Sequence, residues 1–409
     1  MSDFRCRNCD APVSTTFVDL GVSPLSNSYI PLDRAGEMEP FYPLHPRVCD
    51  VCFLVQLPAF EPPEHIFSHY AYLSSFSDSW LAHSRAYVDR AIERLALRAD
   101  AIVAEAASND GYLLQYFVER GFTAYGVEPA ANVAAIARER GVPTEVAFLG
   151  AQTGRRIRDS RGAAALVAAN NVIAHVPDLH DFIDGLEALM APQGTITVEI
   201  PHLLALIDGV QFDTIYHEHF SYFSLLTMED VLRRHGLRLW DVDRLATHGG
   251  SLRYWIVREA DAREELPAVA MLRTLERERG LHQPDIYRSF EERVRAKKRE
   301  VLAFFLRAAG ERKTIAGYGA PAKGNTLLNY CGIRTDMMPF TVDRNPEKQR
   351  TLLPGSRIPV YGPEYLGQAK PDFVMILPWN IRDEIVAQNA NVRSWRGRFV
   401  CAMPALEIF

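Results

Sequence analysis

The chain is short of positive charge, of long apolar runs and of cysteine, and each shortage removes a class of function. Lys and Arg number 45 against 51 Asp and Glu, a formal net charge of −6. No global basic field exists to hold a polyanionic duplex, which excludes nucleic acid as the main ligand. Apolar runs such as 162–169 and 101–103 fall far below the roughly 20 residues that span a bilayer, so no membrane span is expected. Met1 to Cys6 has no apolar stretch behind a basic start; a secretory signal is not expected, and the cytoplasm, where thiols stay reduced, is the default compartment. With 48% hydrophobic and 23% charged residues the composition is that of a folded protein, and 409 residues exceed what one core organises, so two or three domains are expected.

Of six cysteines, four form the pairs Cys6-x2-Cys9 and Cys49-x2-Cys52, while Cys331 and Cys401 stand alone in the distant C-terminal part. A Cys-x2-Cys turn aims two thiolates at one point, and two such turns supply the four-sulfur shell that zinc prefers. Disulfides or ordinary buried thiols are the alternative, which a reducing compartment disfavours. With no further ligand beside them the shell reads as structural. Pro31, Pro40, Pro43 and Pro46 mark this lobe as loops and short strands.

From residue 101 strands alternate with helices. Residues 101–104 read as a strand, 105–111 as a tight turn and 112–117 as a helix. A second strand at 124–127 ends at Glu128 and is followed by an Ala-rich helix at 130–140. A third at 163–168 ends at Asn170 and Asn171; Pro177 opens another helix, and 194–200 supplies a further strand. This alternation predicts a doubly wound parallel sheet with its ligand site at the carboxyl ends of the strands. Glu128 stands where a carboxylate accepts both hydroxyls of an adenosine ribose, a spacing that fits a dinucleotide or S-adenosylmethionine. The G-x-G-x-x-G that would cradle a pyrophosphate is missing. The first turn has Gly111 alone beside polar Ser108, Asn109 and Asp110, which suits the sulfonium and amino groups of S-adenosylmethionine. The alternative is that Glu105 and Glu128 are solvated strand ends.

The densest polar stretch, 212–223, holds Asp213, Tyr216, His217, Glu218, His219 and Tyr222, with His248 following in a His-Gly-Gly-Ser-Leu-Arg run. On an extended or turning segment Tyr216, Glu218 and Tyr222 share one side. His217 and His219 lack a convincing third metal ligand. General acid–base work is the stronger functional reading, a neighbouring carboxylate fixing the tautomer; a strand edge of packed aromatics and solvated histidines is the alternative. Residues 263–307 read as two amphipathic helices with a solvated charged face. In 313–326 a short strand, a glycine-rich turn and a helix start suggest a cradle whose amides and Lys323 face an anion. Walker spacing is absent, so nucleotide hydrolysis is not implied. Strands at 340–343 and 373–377 complete a second, smaller α/β domain.

Taken in order, the four-cysteine lobe, the sheet, the Tyr216-x-Glu218-His219 segment, the His248 run and the Gly317-Tyr318-Gly319-Ala320-x-x-Lys323 turn resemble the sugar C-methyltransferases over essentially the whole chain. The resemblance implies an α/β protein of three domains. These are a zinc-binding domain at 1–67, a Rossmann-like S-adenosylmethionine-binding methyltransferase domain at 68–258, and a helical linker with a second Rossmann-like domain at 259–409 that holds a nucleotide-sugar without a dinucleotide of its own. It implies methylation at C3 of a nucleotide-linked 4-keto-6-deoxy sugar in deoxysugar biosynthesis. Zinc would sit on Cys6, Cys9, Cys49 and Cys52. The methyl donor would sit on Glu105, Ser108, Asn109, Asp110, Gly111, Glu128, Pro129, Asn170 and Asn171, and the substrate on Tyr222, His248, Tyr318, Lys323 and Asn325. Tyr216, Glu218, His219, His175 and Tyr70 would be catalytic. In that scheme His219 removes the C3 proton that the ketone acidifies, Glu218 orients or polarises it, and Tyr216 or His175 donates to the enolate oxygen; the other assignment makes Tyr216 the base. One departure is Ala107, in place of the glycine of the family's Glu-x-Gly, which adds a methyl where backbone approaches the cofactor. A monomer is expected. An O- or N-methyltransferase on a sugar or small metabolite, and a non-catalytic zinc and nucleotide scaffold, are the other readings.

Overall fold

A computed structural model describes residues 4–62 and 73–409; Tyr70 lies outside the described residues. The N-terminal lobe is built from two-residue strands, as its prolines and cysteine turns demand. Strands β1 (Thr15–Thr16), β2 (Arg47–Val48) and β3 (Val55–Gln56) pair antiparallel. Strands this short bury little on their own, and the lobe shares its core with later chain: Phe17 stacks on Phe290 at 4.4 Å, and Val48 and Val55 join a cluster with Ile215, Tyr222 and Tyr287.

Helix α1 (Asp78–Arg94) starts at Ser77, whose hydroxyl accepts the Trp80 N–H. The expected alternation follows: β4 (Ile102–Ala106), α2 (Leu114–Glu119), β5 (Thr123–Val127), α3 (Ala131–Glu139), β6 (Thr144–Glu145), α4 (Ala151–Arg161), β7 (Ala164–Asn170), α5 (Leu179–Leu189) and β8 (Met190–Pro201). A short helix α6 (Leu203–Asp208) leads to β9 (Ser221–Tyr222), which leaves this domain and pairs with β3. After α7 (Leu225–Arg233), β10 (Leu237–Leu245) and β11 (Ser251–Arg258) return to the large sheet, whose order is β10-β11-β8-β7-β4-β5-β6. From β8 to β6 the strands are parallel, and β10 and β11 add an antiparallel hairpin at one edge that the alternation did not announce. Neighbours β4 and β7 run outward from the point where strand order reverses, so the ligand crevice lies at their carboxyl ends.

The linker holds three helices where two were expected: α8 (Pro267–Glu278), α9 (Pro284–Arg288) and α10 (Phe290–Gly310). Gly280, at φ 83°, and Pro284 break the periodic run. A second sheet then forms from β12 (Ile315–Tyr318), β13 (Thr341–Val342), β14 (Val360–Tyr361), β15 (Phe373–Ile376), β16 (Arg398–Cys401) and β17 (Glu407–Ile408), in the order β14-β13-β12-β15-β16-β17. All but β17 are parallel. The helix that follows β12 (Ala322–Cys331) turns its N-terminal half toward the lobe and the 212–222 segment: Asn325 donates to the Ser26 carbonyl at 2.7 Å and Thr326 to that of Ile215 at 2.9 Å.

Candidate active site

The two Cys-x2-Cys turns are built alike. Asp10 and Phe53, each one residue past a pair, take left-handed backbone with φ 59°, and their N–H groups donate back to the Cys6 and Cys49 carbonyls at 2.9 and 3.0 Å. All four Sγ atoms come within 4.8 Å of one another. Cys6–Cys52 and Cys9–Cys49 stand at 3.5 Å, too far for a disulfide and near the edge of about 3.8 Å that tetrahedral Zn–S bonding requires. Gln56 donates its side-chain N–H to Cys6 Sγ at 3.1 Å, the support a thiolate ligand needs. The donor set fits a closed structural zinc site. His217 faces this lobe, its ring nitrogen 3.3 Å from the Pro43 carbonyl, and does not converge on a metal with His219.

At the ends of β4 and β7 the chain turns sharply, with Ala107, Asn109, Gly111 and Asn171 at φ of 54°, 48°, 77° and 53°. The Glu128 carboxylate accepts the Asn109 and Ala130 N–H groups, each at 2.9 Å, while burial raises its pKa to about 7; Pro129 stands beside it at the head of α3. Glu105 is fully buried, and burial, with Glu128 and Asp110 nearby, pushes it well above the ordinary carboxylate value. Ser108 Oγ, Asp110 Oδ1, Asn170 Oδ1 and Asn171 Oδ1 are buried without a hydrogen-bond partner, and Glu105 has only the Tyr112 hydroxyl beside it. Such atoms cost free energy unless a ligand meets them, and a ligand bearing an amino group and ribose hydroxyls has donors that fit them. Local patterns gave no sign of what clamps this turn: Ser74 donates its N–H to Asn109 Oδ1 at 2.8 Å, the Ser75 hydroxyl donates to Asp110, and Arg140 binds the Asp110 carboxylate at 3.0 Å.

The pairing of β9 with β3 holds the 212–222 segment against the turn Ile173–His175. His219 Nδ1 lies 2.8 Å from the Thr214 carbonyl. A carbonyl only accepts, so Nδ1 carries the proton and Nε2 the lone pair. His175 is set the same way, donating to the Glu218 carbonyl at 2.8 Å. The two rings meet edge to face at 4.7 Å, and the Tyr216 and Tyr222 rings lie 4.0 and 6.0 Å from His219. Burial lowers His219 well below its ordinary value and takes His175 and His248 to about 4, so all three are neutral near pH 7. The Tyr222 hydroxyl is buried beside the Tyr216 backbone. Asn171 donates to His248 Nε2 at 3.4 Å, joining this cluster to the crevice. Behind it Glu199 accepts from His83 at 2.9 Å, from Thr247 at 3.0 Å and from Arg253; despite burial these donors lower it to about 2.

Two expected roles are corrected. The Glu218 side chain does not orient His219: both its oxygens accept from Asn27 Nδ2 at 2.8 Å, and burial raises it to about 7. The two residues lie in a turn, closed by the His219 N–H donating to the Tyr216 carbonyl at 2.9 Å, and the turn sends the two side chains to different partners. The glycine-rich turn after β12 is not an anion cradle. Its Gly319 N–H donates to the Val342 carbonyl and its Ala320 N–H to the Asp343 carboxylate, each at 2.6 Å, and Pro321 has no N–H. Asp343 fills the place of the anion. Lys323 extends toward the histidines instead: it donates to Asn380 Oδ1 at 2.8 Å, lies 4.8 Å over the Trp379 ring, and its charge helps hold His219 and His248 neutral. Tyr318 is buried beside Asn389, and Asn325 keeps a buried unpartnered Oδ1 near the lobe.

Three family models match in chain order: "Putative zinc binding domain" on residues 6–67, "Methyltransferase domain" on 80–242 and "C-methyltransferase C-terminal domain" on 246–404. The C-methyltransferase NovU of Streptomyces niveus is 38% identical over 403 residues, covering 98% of this chain and 95% of its own. The chain belongs to the C-methyltransferase family. Among solved structures, magnesium protoporphyrin IX methyltransferase (ChlM) of Synechocystis PCC 6803 with bound SAM shares 16% identity over 44% of this chain and 82% of its own, with a TM-score of 0.34. The PH0226 protein of Pyrococcus horikoshii OT3 shares 12% over 49% and 99%, with a TM-score of 0.37. Likenesses this slight carry no argument. Family membership makes the protein an S-adenosylmethionine-dependent carbon methyltransferase with a zinc-binding lobe, which sets aside the scaffold reading and O- or N-methylation. Among the described residues no helix is long and apolar enough to cross a membrane.

Proposed function

We propose that the protein methylates C3 of a nucleotide-linked 4-keto-6-deoxy sugar, with His219 as the base, acting as a cytoplasmic monomer in deoxysugar biosynthesis. The observation that carries this reading is the state of His219, a neutral ring whose Nδ1–H is tied to Thr214 and whose Nε2 keeps its lone pair inside a buried cluster linked through His248 to the donor crevice. A hydrogen on a carbon beside a ketone is acidic enough for such a base, and its removal sends the electron pair to O4 as an enolate. Tyr216, whose ring flanks His219, is the group assigned to donate to that oxygen, a contribution worth about a hundredfold or more, because the one proton of neutral His175 is held by the Glu218 carbonyl. S-adenosylmethionine, when bound, supplies a sulfonium methyl that the enolate carbon takes with release of S-adenosylhomocysteine. Glu105, Ser108, Asn109, Asp110, Glu128, Asn170 and Asn171 would hold it. Glu218, Tyr222, His248 and Lys323 are assigned to the sugar side, and the C-terminal domain to the nucleotide.

The test is mass spectrometry of the protein incubated with S-adenosylmethionine and a panel of dTDP-, GDP- and CDP-4-keto-6-deoxy sugars, with NMR placing the new carbon. A methyl on C3 is the expected product. One on C5, the other carbon beside the ketone, keeps the base and the enolate and moves the position. No product across the panel while the donor binds would send the acceptor to another class.

A further inference from the structure

The zinc knuckle carries an arginine between its cysteines, and that arginine reaches the backbone of the catalytic segment. Arg7 donates from one Nη to the Phe220 carbonyl at 3.0 Å and from the other to the Leu57 carbonyl at 2.7 Å, while its own N–H donates to Gln56 Oε1 at 3.0 Å. Its guanidinium lies over the Phe220 ring at 5.4 Å. Phe220 directly follows His219. Its carbonyl takes a second bond from the Leu57 N–H at 2.9 Å, and its N–H donates to the Ala174 carbonyl at 2.7 Å, next to His175. One residue, Phe220, is therefore held by the lobe through its carbonyl and by the methyltransferase domain through its amide. Both histidines hang from it.

We propose that Arg7 is a positioning residue for His219 and His175, so that the zinc knuckle belongs to the catalytic assembly as well as stapling the lobe. This rests on His219 as the proposed base. A base must meet its carbon-bound proton within hydrogen-bond reach, and a misplacement of about 1 Å costs on the order of a hundredfold in rate. Two bonds on the Phe220 carbonyl, one of them from a side chain anchored between two metal-ligating cysteines, restrict such drift. The arrangement also gives the lobe a reason to share a sheet with β9.

The test compares wild type, Arg7→Met, Arg7→Lys and His219→Asn. Each is held with S-adenosylhomocysteine and whichever of the dTDP-, GDP- and CDP-4-keto-6-deoxyhexoses the wild type methylates, in D2O, and NMR follows exchange of the carbon-bound hydrogen. Zinc content, S-adenosylhomocysteine affinity and the sugar KM are measured alongside. Arg7→Met is expected to lose ten- to a hundredfold in exchange and in kcat, with one zinc retained and both affinities within about twofold of wild type. The acid limb of its exchange profile is expected to move up in pH, because a loosened His219 regains water. Arg7→Lys, which keeps one donor, is expected to fall between, and decides the matter if the methionine variant does not fold. Wild-type exchange in Arg7→Met overturns the proposal, and so does a loss of zinc or of cofactor binding in step with exchange, which would make Arg7 a staple alone. Unimpaired exchange in His219→Asn overturns the base assignment, and this proposal with it.

Discussion

The Trp379 indole donates its N–H to the Asp213 carboxylate at 2.6 Å. A residue of the C-terminal domain thereby grips the turn whose next residue, Thr214, fixes the tautomer of His219. The other edge of the same indole lies against Gly249, which has φ 87° and no room for a Cβ beside the ring. Gly249→Ala is expected to displace Trp379 and lower turnover by at least about tenfold with donor affinity unchanged. Tryptophan fluorescence and steady-state kinetics check this; wild-type turnover would show that the indole does not support the site.

His219→Asn keeps an N–H for the Thr214 carbonyl and removes the lone pair. Methyl transfer is expected to fall by about 10² to 10⁴, with S-adenosylmethionine binding by calorimetry within about twofold of wild type. A variant that methylates normally would return the base role to Tyr216.

Donor affinity should depend on pH through Glu128. Burial raises this carboxyl to about 7, and ribose hydroxyls donate best to its ionised form, so binding selects the charged state and releases a proton. Affinity is then full above about pH 7 and weakens by up to about tenfold per unit as the pH falls below it. Calorimetry in buffers of different ionisation heat counts the proton. Glu128→Gln should remove about one proton from the count, and a flat wild-type affinity between about pH 8 and 6 would take Glu128 out of the donor site.

Ala107 holds φ 54° in the turn after β4, where the proposed donor site lies. A left-handed alanine carries a strain of about 1 kcal/mol that glycine escapes, partly offset by the greater freedom of glycine in the unfolded chain. Ala107→Gly is expected to raise the melting temperature slightly and to tighten donor binding; weaker binding would mean that the methyl group packs against the cofactor.

The readable parts of the site are those whose chemistry is local. Each Cys-x2-Cys pair occupies one turn, and Glu128 closes one strand, so spacing alone places them. Hidden were the bonds that cross the chain: Asn27 meets Glu218 from 191 residues away, Trp379 meets Asp213 from 166, and Asp343 sits in a turn that pattern alone presents as an anion site. Periodicity distinguishes helix from strand, but it says nothing of which buried carboxylate meets which donor. The hairpin β10–β11 escaped for a related reason, since its place at the sheet edge is set by β8 and not by its own residues.

The pairing of Gln56 with Ser221 joins positions 165 residues apart. At synthesis rates of about 5–20 residues per second, β3 waits roughly 8 to 33 s on the ribosome for its partner. Throughout that interval the lobe presents a bare strand edge, a surface to which other chains adhere. The part of the protein made first is thus among the last to be finished, and a chain cut short before Ser221 would leave it open.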